Sequence, residues 1–329
     1  VNSGPNGVRT RLWREGQLEL EDFPLDEVSE HLLDDSALVW LDLCEPDHEL
    51  LLKLAGELTL DSRAVENAIA SGERPKATRH ATHTFVTMYA TRLQVDEGSQ
   101  AGPLESRLRT RRLSAFVMPH GIVTVRSDPD FDMDSVVERW EDDPELLRLG
   151  VGALLFGLLD VVVDGHFETV QLMDDAIESL EDGLFDETAV TREIQQQTYR
   201  VRKELVELRR VILPMREVVN AVQRHRSEGD GHRSELDGWY GDLYDHVLRA
   251  SEWTESLRDM VTTVFETNLS LQEARLNTVM KKLTSWAAII AVPTAVTGWF
   301  GQNVAYPGFG RSSGLMASTV VIVALASAL

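Results

Sequence analysis

Cysteine is almost absent: Cys44 stands alone in 329 residues. An internal disulfide is therefore excluded, and a reducing compartment fits. Base is scarce as well, with 32 Lys and Arg against 54 Asp and Glu, for a formal net charge of −22. So acidic a surface repels phosphate backbones, which excludes nucleic acid as a partner and suits cations instead. No Walker A sequence, GxSxG or HExxH occurs, so an ATP-driven pump or a hydrolase of those kinds lacks support. The first residues, VNSGPNGVRTRLWREG, hold no apolar core of the signal-peptide type.

A third lack is local. Residues 283–310 are 28 in a row without Asp, Glu, Lys or Arg; Arg311 interrupts, and 312–329 are again uncharged. LTSWAAIIAVPTAVTGWF, 18 residues, is long enough with the adjoining turn to cross a hydrocarbon core of ~30 Å. The 15 residues of 315–329 make only ~22 Å of helix, so they read as a second transmembrane helix truncated at its end. The alternative is a buried helical hairpin of a soluble protein. Lys281 and Lys282 flank the first span, while the connecting loop has only Arg311. The positive-inside tendency then places the large N-terminal part in the cytoplasm. VGALLFGLLDVVV, only 13 residues and interrupted by Asp160, reads as a core helix instead.

The remainder divides near residue 145. Before it, VRTRLWR, ALVWLDL, HTFVTMYATRL and RLSAFVMPHGIVTVRS read as strands, the last a hairpin turning at Pro119-His120-Gly121. Helical stretches such as HELLLKLAGELTL and SRAVENAIA lie between them, which makes an α/β domain. Beyond it the pattern predicts long helices over about 144–184 and 189–226, with HRSEGDGH as a polar turn. A third helix starts near Leu236 and meets no clear breaker before Pro293. Sixty-odd residues of helix reach ~95 Å, too long for one domain core to surround, so copies of the chain should pack against each other. The expected parts are an α/β domain over 1–145, a long-helix stalk over 146–282, a first transmembrane helix over 283–303, an external loop over 304–313 and a second transmembrane helix over 314–329.

The register of that last helix carries the most information. Steps of three and four from Asn277 meet Met280, Thr284, Ala287, Ala291, Thr294, Gly298 and Gly301. This is a heptad seam, but small and polar where a coiled coil has Leu and Ile. Trp286, Ile289, Ile290, Val292 and Val296 occupy other positions. Bulky residues suit lipid. The small stripe suits either close helix packing or a water-lined pore on a symmetry axis, and Asn277 and Thr294 favour the pore.

Six segments, in order, carry a resemblance over nearly the whole chain. They are VWLDLCEP (39–46), ERPKATRH (73–80), LLDVVVDGHFETVQLMDDAIESLE (158–181), LRRVILPMREVVN (208–220), LYDHVLRASEWTESLRDM (243–260) and NTVMKKLTSWAAIIAVPTAVTGWFGQN (277–303). Together they are similar to the CorA family of divalent-cation channels, which carries Gly-Met-Asn at the outer end of its first transmembrane helix. Gly301-Gln302-Asn303 occupies that place, behind an aromatic residue. The resemblance implies a homopentamer in the plasma membrane, with α/β domains around a funnel of long helices. The first transmembrane helices would line the pore and the second face lipid. It puts Asn277, Met280, Thr284, Ala287, Ala291, Thr294 and Gly298 on pore-facing positions and Gly301, Gln302 and Asn303 at the selectivity filter. Mg²⁺ would be both the transported ion and a regulatory one, with no organic cofactor and no enzymatic reaction. LYDH resembles the segment that supplies an inter-subunit regulatory ligand, here Asp245; the other reading is a surface carboxylate.

Two departures bear on the ion. Gln302 replaces Met and adds a carboxamide that either faces the pore or caps the helix. The loop VAYPGFGRSSG lacks acids and carries Arg311, which weakens cation concentration at the entrance. Zinc transporters of the ZntB type share the architecture and vary the same middle position, so a Zn²⁺ transporter, with or without proton coupling, is the alternative; a sensor or scaffold without conduction is the alternative of another class. The segment DDAIESLEDGLFDE is either a solvated face or a cation-attracting one. HATH and HRSEGDGH, loop-like and without cysteine, make poor zinc sites.

Overall fold

The computed structural model describes residues 7–70, 72–94, 107–185, 191–230, 235–301 and 307–328. The chain forms two compact units, 1–264 and 265–329.

The first unit is built on a seven-stranded sheet in the order β2-β1-β3-β7-β6-β5-β4. Its strands are β1 (Val8–Arg14), β2 (Gln17–Glu21), β3 (Ala37–Cys44), β4 (Lys76–Arg79), β5 (Thr84–Leu93), β6 (Leu108–Met118) and β7 (Gly121–Arg126). Only β3 and β7 pair in parallel. The expected strands are present, and the hairpin turns at Pro119-His120. β2 and β4 are additions. β2, QLELE, is exposed along its whole length and so lacks the in-out alternation that marks a half-buried strand. It exists because Glu15 and Gly16 both take positive φ, 49° and 78°, which folds β2 back on β1 in a two-residue turn.

Short helices α1 (Val28–His31), α2 (His48–Glu57) and α3 (Ser62–Ile69) precede α4 (Met133–Asp142) and α5 (Pro144–Leu147). The long ones are α6 (Val151–Phe185), α7 (Thr191–Ile212), α8 (Met215–Asp230), α9 (Leu236–Phe300) and α10 (Ser312–Ala328). Period-two alternation sends Leu12, Leu41 and Phe85 to one face of the sheet, against Leu51, Leu54 and Val65 of α2 and α3. It sends Trp13, Trp40 and Met88 to the other, against α4, α6, α8 and the start of α9. Trp140 of α4 meets Trp13 and Trp40 edge-on, at 5.9 and 5.1 Å, and its Nε1–H donates to Leu154 O at 3.0 Å. Within the sheet, fully buried Asp42 is held by Arg126 at 2.6 Å and accepts from the Thr124 hydroxyl at 2.7 Å.

Three expected helix limits change. The helix of 144–184 is two, α5 and α6, because Gly150 turns into the left-handed region at φ 83° and ends α5. The helix of 189–226 breaks at Leu213-Pro214, where proline has no N–H to donate and crowds the preceding turn. HRSEGDGH is not a turn over its first part: α8 continues to Asp230, since charged residues are fair helix formers and polarity alone ends nothing. The core-helix reading of VGALLFGLLDVVV holds, with Leu154, Leu155, Leu158, Leu159, Val162 and Val163 all buried.

His166 locks α6 to the sheet. Its Nε2–H donates to Tyr89 O of β5 at 2.7 Å, and burial pushes its pKa down to about 4. The unfolded chain takes up this proton near pH 6.5 and the folded one does not, so stability is full above that value and falls as pH drops toward 4. By pH 5 this group alone should cost about 2 kcal/mol. The loss of apparent melting temperature between pH 7.5 and 5 should be smaller in His166→Gln than in the parent; equal losses would show that His166 does not set the slope.

Candidate ion pathway and cation-binding residues

In the second unit, α9 carries the apolar run. A window of 18 residues in this helix has mean hydropathy 1.4 and none of it is buried in the chain. A soluble core helix of that composition would be covered, so the buried-hairpin alternative loses its support. Trp286, Ile290 and Trp299 are 63, 65 and 66 % exposed. α10, 17 residues, is also apolar but shorter.

The expected seam lies along one face of α9. Asn277, Met280, Thr284, Ala287, Ala291, Thr294 and Gly298 are all exposed. Two seam hydroxyls are tied to their own helix: Thr284 Oγ1 donates to Met280 O at 2.8 Å, and Thr294 Oγ1 to Ile290 O at 2.9 Å. Each hydroxyl has spent its one proton inward, so what it presents outward is an acceptor. Thr297 does likewise toward Pro293 O at 2.8 Å. The last turn closes through Gly301 N–H to Thr297 O at 2.8 Å. Gln302 and Asn303 lie outside the described residues. After them the chain turns at Gly308, φ 97°, whose carbonyl accepts from Arg311 N–H at 3.0 Å.

Asp245 is an exposed residue in the amino-terminal part of α9 and lines a cavity of about 470 Å³ with Arg139, Asp142, Asp160, Asp242 and His246. Its neighbour His246 joins Asp160 and Asp164 of α6, with one ligand atom from each lying within 4.8 Å of the others. Burial raises the pKa of Asp160; Arg139 opposes that, Asp164 adds to it and His246 opposes it. Arg139 bonds both carboxylates, at 3.2 and 2.8 Å. An imidazole donor and a guanidinium already in place fit Mg²⁺ poorly, since that ion takes oxygen ligands and keeps its waters; the donor set suits Zn²⁺ or Co²⁺ better. The Asp160–Asp164 pair escaped the sequence reading because it sits in LLDVVVD, an apolar run. Its signal was the spacing of four, which puts both carboxylates on one helix face.

The other candidates resolve simply. In HATH, His80 and His83 stack at 4.9 Å and belong to no three-ligand group among the described residues. Of HRSEGDGH, 225–230 are in α8 and the rest lies outside the described residues. In the acidic segment, Ile177, Leu180 and Leu184 are buried while Asp175, Glu178 and Asp182 face solvent, as a solvated face and a cation-attracting one both require; Asp186 and Glu187 lie outside the described residues.

An acidic α/β unit continued by one 65-residue helix into an uncharged, uncovered apolar segment has the make-up of a membrane transporter. Residues 35–329 match the CorA-like Mg²⁺ transporter protein family, and the chain belongs to it. That is a family of transporters rather than enzymes. The cobalt/magnesium transport protein CorA of Methanocaldococcus jannaschii is 24 % identical over 305 residues, 91 % of this chain and 90 % of that protein. The complete structure of the CorA magnesium transporter from the same organism superposes with TM-score 0.72 at 20 % identity, covering 97 % of this chain and 95 % of that one. The ZntB cytoplasmic domain from Vibrio parahaemolyticus superposes with TM-score 0.61 at 11 % identity, over 82 % of this chain and 99 % of that one. At these identities the two likenesses are of fold.

Arg139 is the residue to test in the first unit. Arg139→Gln leaves Asp160 and Asp164 facing each other and should lower stability by about 1–2 kcal/mol, a buried-pair loss discounted because Arg139 is half exposed. Added Co²⁺ should then raise the melting temperature of the variant more than that of the parent. A variant as stable as the parent, or indifferent to Co²⁺, would show that Arg139 is not holding the place of a cation.

Proposed function

We propose that five copies of this chain form a channel for passive influx of hydrated divalent cations, Mg²⁺ foremost and Co²⁺ next. Residues 1–145 and 146–282 are its cytoplasmic domain and stalk, 283–303 its pore helix, 304–313 the external loop and 314–329 a lipid-facing helix. The observation that carries the reading is the pair of seam hydroxyls, Thr284 and Thr294, that present only acceptors outward. A hydrated cation turns the hydrogens of its water shell outward, and Thr284 and Thr294, each donating to its own helix, answer with lone pairs.

Asn303, Gln302 and Gly301 are the proposed filter. Stripping Mg²⁺ of its tightly held water is costly, and a ring of neutral carboxamide oxygens can instead hold the shell by hydrogen bonds and let it go. Membrane potential drives a divalent ion with about 4.6 kcal/mol per 100 mV.

The fold likeness to a ZntB cytoplasmic domain, with Gln302 in place of Met, favours a second reading as a Zn²⁺ transporter. One set of measurements separates the possibilities. The chain in mild detergent should have a pentamer's mass by light scattering. In liposomes it should pass Mg²⁺ in competition with Co²⁺ and Zn²⁺ and without need of a pH gradient. At matched pentamer content Asn303→Ala should cut flux at least about tenfold, since several hydrogen bonds of roughly 1 kcal/mol vanish around the ring. Thr294→Val, which keeps the volume and loses the acceptor, should cut it several-fold, while Gln302→Met should conduct. A monomer or dimer sinks the pentamer; no flux at all leaves a sensor or scaffold; and zinc preference with dependence on the pH gradient selects the second reading. If Asn303→Ala conducts normally and Gln302→Met does not, the filter is Gln302.

We place the regulatory Mg²⁺ at Asp245, an exposed carboxylate of the amino-terminal part of α9 that would face a neighbouring copy. Bridging acidic surfaces there would hold the closed form together. Mg²⁺ should protect the cytoplasmic part from protease in the parent and less so in Asp245→Ala; equal protection in both would remove Asp245 from regulation.

A further inference from the structure

Helices α6 and α7, neighbours in sequence and in space, carry opposite charge. α6 has eight acids and neither Lys nor Arg, whereas α7 has six bases against three acids. One of those three, Glu204, is fully buried. On a chain with 54 acids to 32 bases, α7 runs against the composition. The two helices pack on each other. A Cβ placed on Gly183, near the end of α6, would stand 3.6 Å from Cδ1 of Ile194, near the start of α7, so they run antiparallel.

Burial gives each helix two faces. Ile177, Leu180 and Leu184 of α6 and Val201, Leu205 and Leu208 of α7 are buried. On the exposed side of α6 stand Gln171, Asp175, Glu178 and Asp182, at steps of four, three and four. On the exposed side of α7 stand Tyr199, Lys203, Val206 and Arg210, at the same steps, with Arg202 beside them. Such steps keep a stripe on one side of a helix, here for about 16 Å. Tyr199 is 62 % exposed and Val206 44 %, so the basic stripe has uncovered apolar surface within it. Among the described residues no ion pair engages Asp175, Glu178, Asp182, Arg202, Lys203 or Arg210, although the helices that bear them touch.

A basic face with apolar residues between its charges fits an acidic helix of the same spacing, and every copy of the chain carries one. Two unlike, complementary faces on one chain join copies head to tail, and head-to-tail contacts close into rings. We propose that the α7 face of one copy docks on the α6 face of the next. The placement rests on the pentamer reading, which sets the number of copies. Laid antiparallel, the stripes match step for step: Glu178 meets Lys203, Asp182 meets the Tyr199 hydroxyl and Gln171 meets Arg210. Exposed ion pairs contribute little singly and are screened by salt, so this contact sets the order and register of neighbours rather than holding the ring alone.

The test is a disulfide trap in the full chain in mild detergent, with Cys44→Ser removing the one native thiol. Glu178→Cys and Lys203→Cys in the same chain should give, on mild oxidation, a ladder of covalent multimers up to the whole assembly. Either cysteine alone should give at least about tenfold less, since thiols held face to face have an effective concentration that free encounter does not reach. Salt at about 1 M, which shortens the screening length from ~10 to ~3 Å, should lower the ladder at least about twofold. Light scattering on the same samples separates this contact from the pentamer reading. A pentamer without a ladder overturns the contact and leaves the pentamer; a monomer or dimer overturns both. Bridges confined to single chains, or equal ladders from the single-cysteine variants, also overturn it. Without the cysteines, Lys203→Glu should lower the temperature at which the pentamer dissociates, and adding Glu178→Lys should restore it; no restoration overturns the pairing of those two residues.

Discussion

Helix α9 has to satisfy two environments with one continuous backbone, and the rest of the molecule depends on that constraint. Its first turns are core: Leu236, Tyr240, Leu243 and Val247 are buried with the sheet and α6. Its last turns carry Trp286, Ile290 and Trp299, each about two-thirds exposed. Covering a large apolar side chain contributes about 1.5–3 kcal/mol, so a row of them left in water would be a standing penalty. Lipid removes it. No backbone group of a helix needs an outside partner in its interior, which is why this element can leave a protein core for a bilayer without a break. Pro293 is the exception, since it leaves one carbonyl of the preceding turn without its N–H. Thr294 puts its hydroxyl on Ile290 O in that turn.

Charge is partitioned by the same constraint. The acids that make the chain so negative all belong to residues before 283, and the apolar run has none. Inside the first unit two carboxylate sites are bonded by arginine. Asp42 is fully enclosed, and burial pushes its pKa up, yet Arg126 and Thr124 bond it from two sides. Asp160 and Asp164 share Arg139 in the same manner. These pairs make the unit firm rather than sticky toward cations. The carboxylates left for ions are the exposed ones, such as Asp242 and Asp245 on α9.

Much of this was legible in the sequence, for reasons that differ by element. β1, β3, β5, β6 and β7 could be read because each is covered on at least one face and alternates or runs apolar. β2 could not, because an exposed QLELE has no burial to print a pattern, and its turn residues, Glu15 and Gly16, were its only mark. The breaks at Gly150 and Pro214 are single-residue events inside helical patterns, and periodicity averages over them. The seam of α9 was legible because small and polar residues at heptad spacing have no place in an ordinary core. Asp160 and Asp164 were overlooked because apolar neighbours conceal them in one dimension, and only the helix brings His246 of another element beside them. Gln302 and Asn303 remain a reading from motif, since they lie outside the described residues.

The proposed pore and the rest of the chain then answer one problem with opposite chemistry. A divalent ion must be drawn toward the protein by charge and passed through it by something weaker than charge. Carboxylates on the pathway would hold the ion, because each adds a full Coulomb attraction in a medium of low dielectric. Threonine oxygens whose protons are committed to Met280 O and Ile290 O offer only acceptor contacts to bound water, and the carboxamides of the proposed filter behind them are neutral. Such contacts exchange with those of bulk water at little net cost, roughly 1 kcal/mol each, so summed around a symmetry axis they can select without trapping. Small side chains at Ala287, Ala291 and Gly298 leave room for the water shell itself. On this account the seam is poor in charge for the same reason that it is poor in bulk: the unit being passed is the ion together with its water.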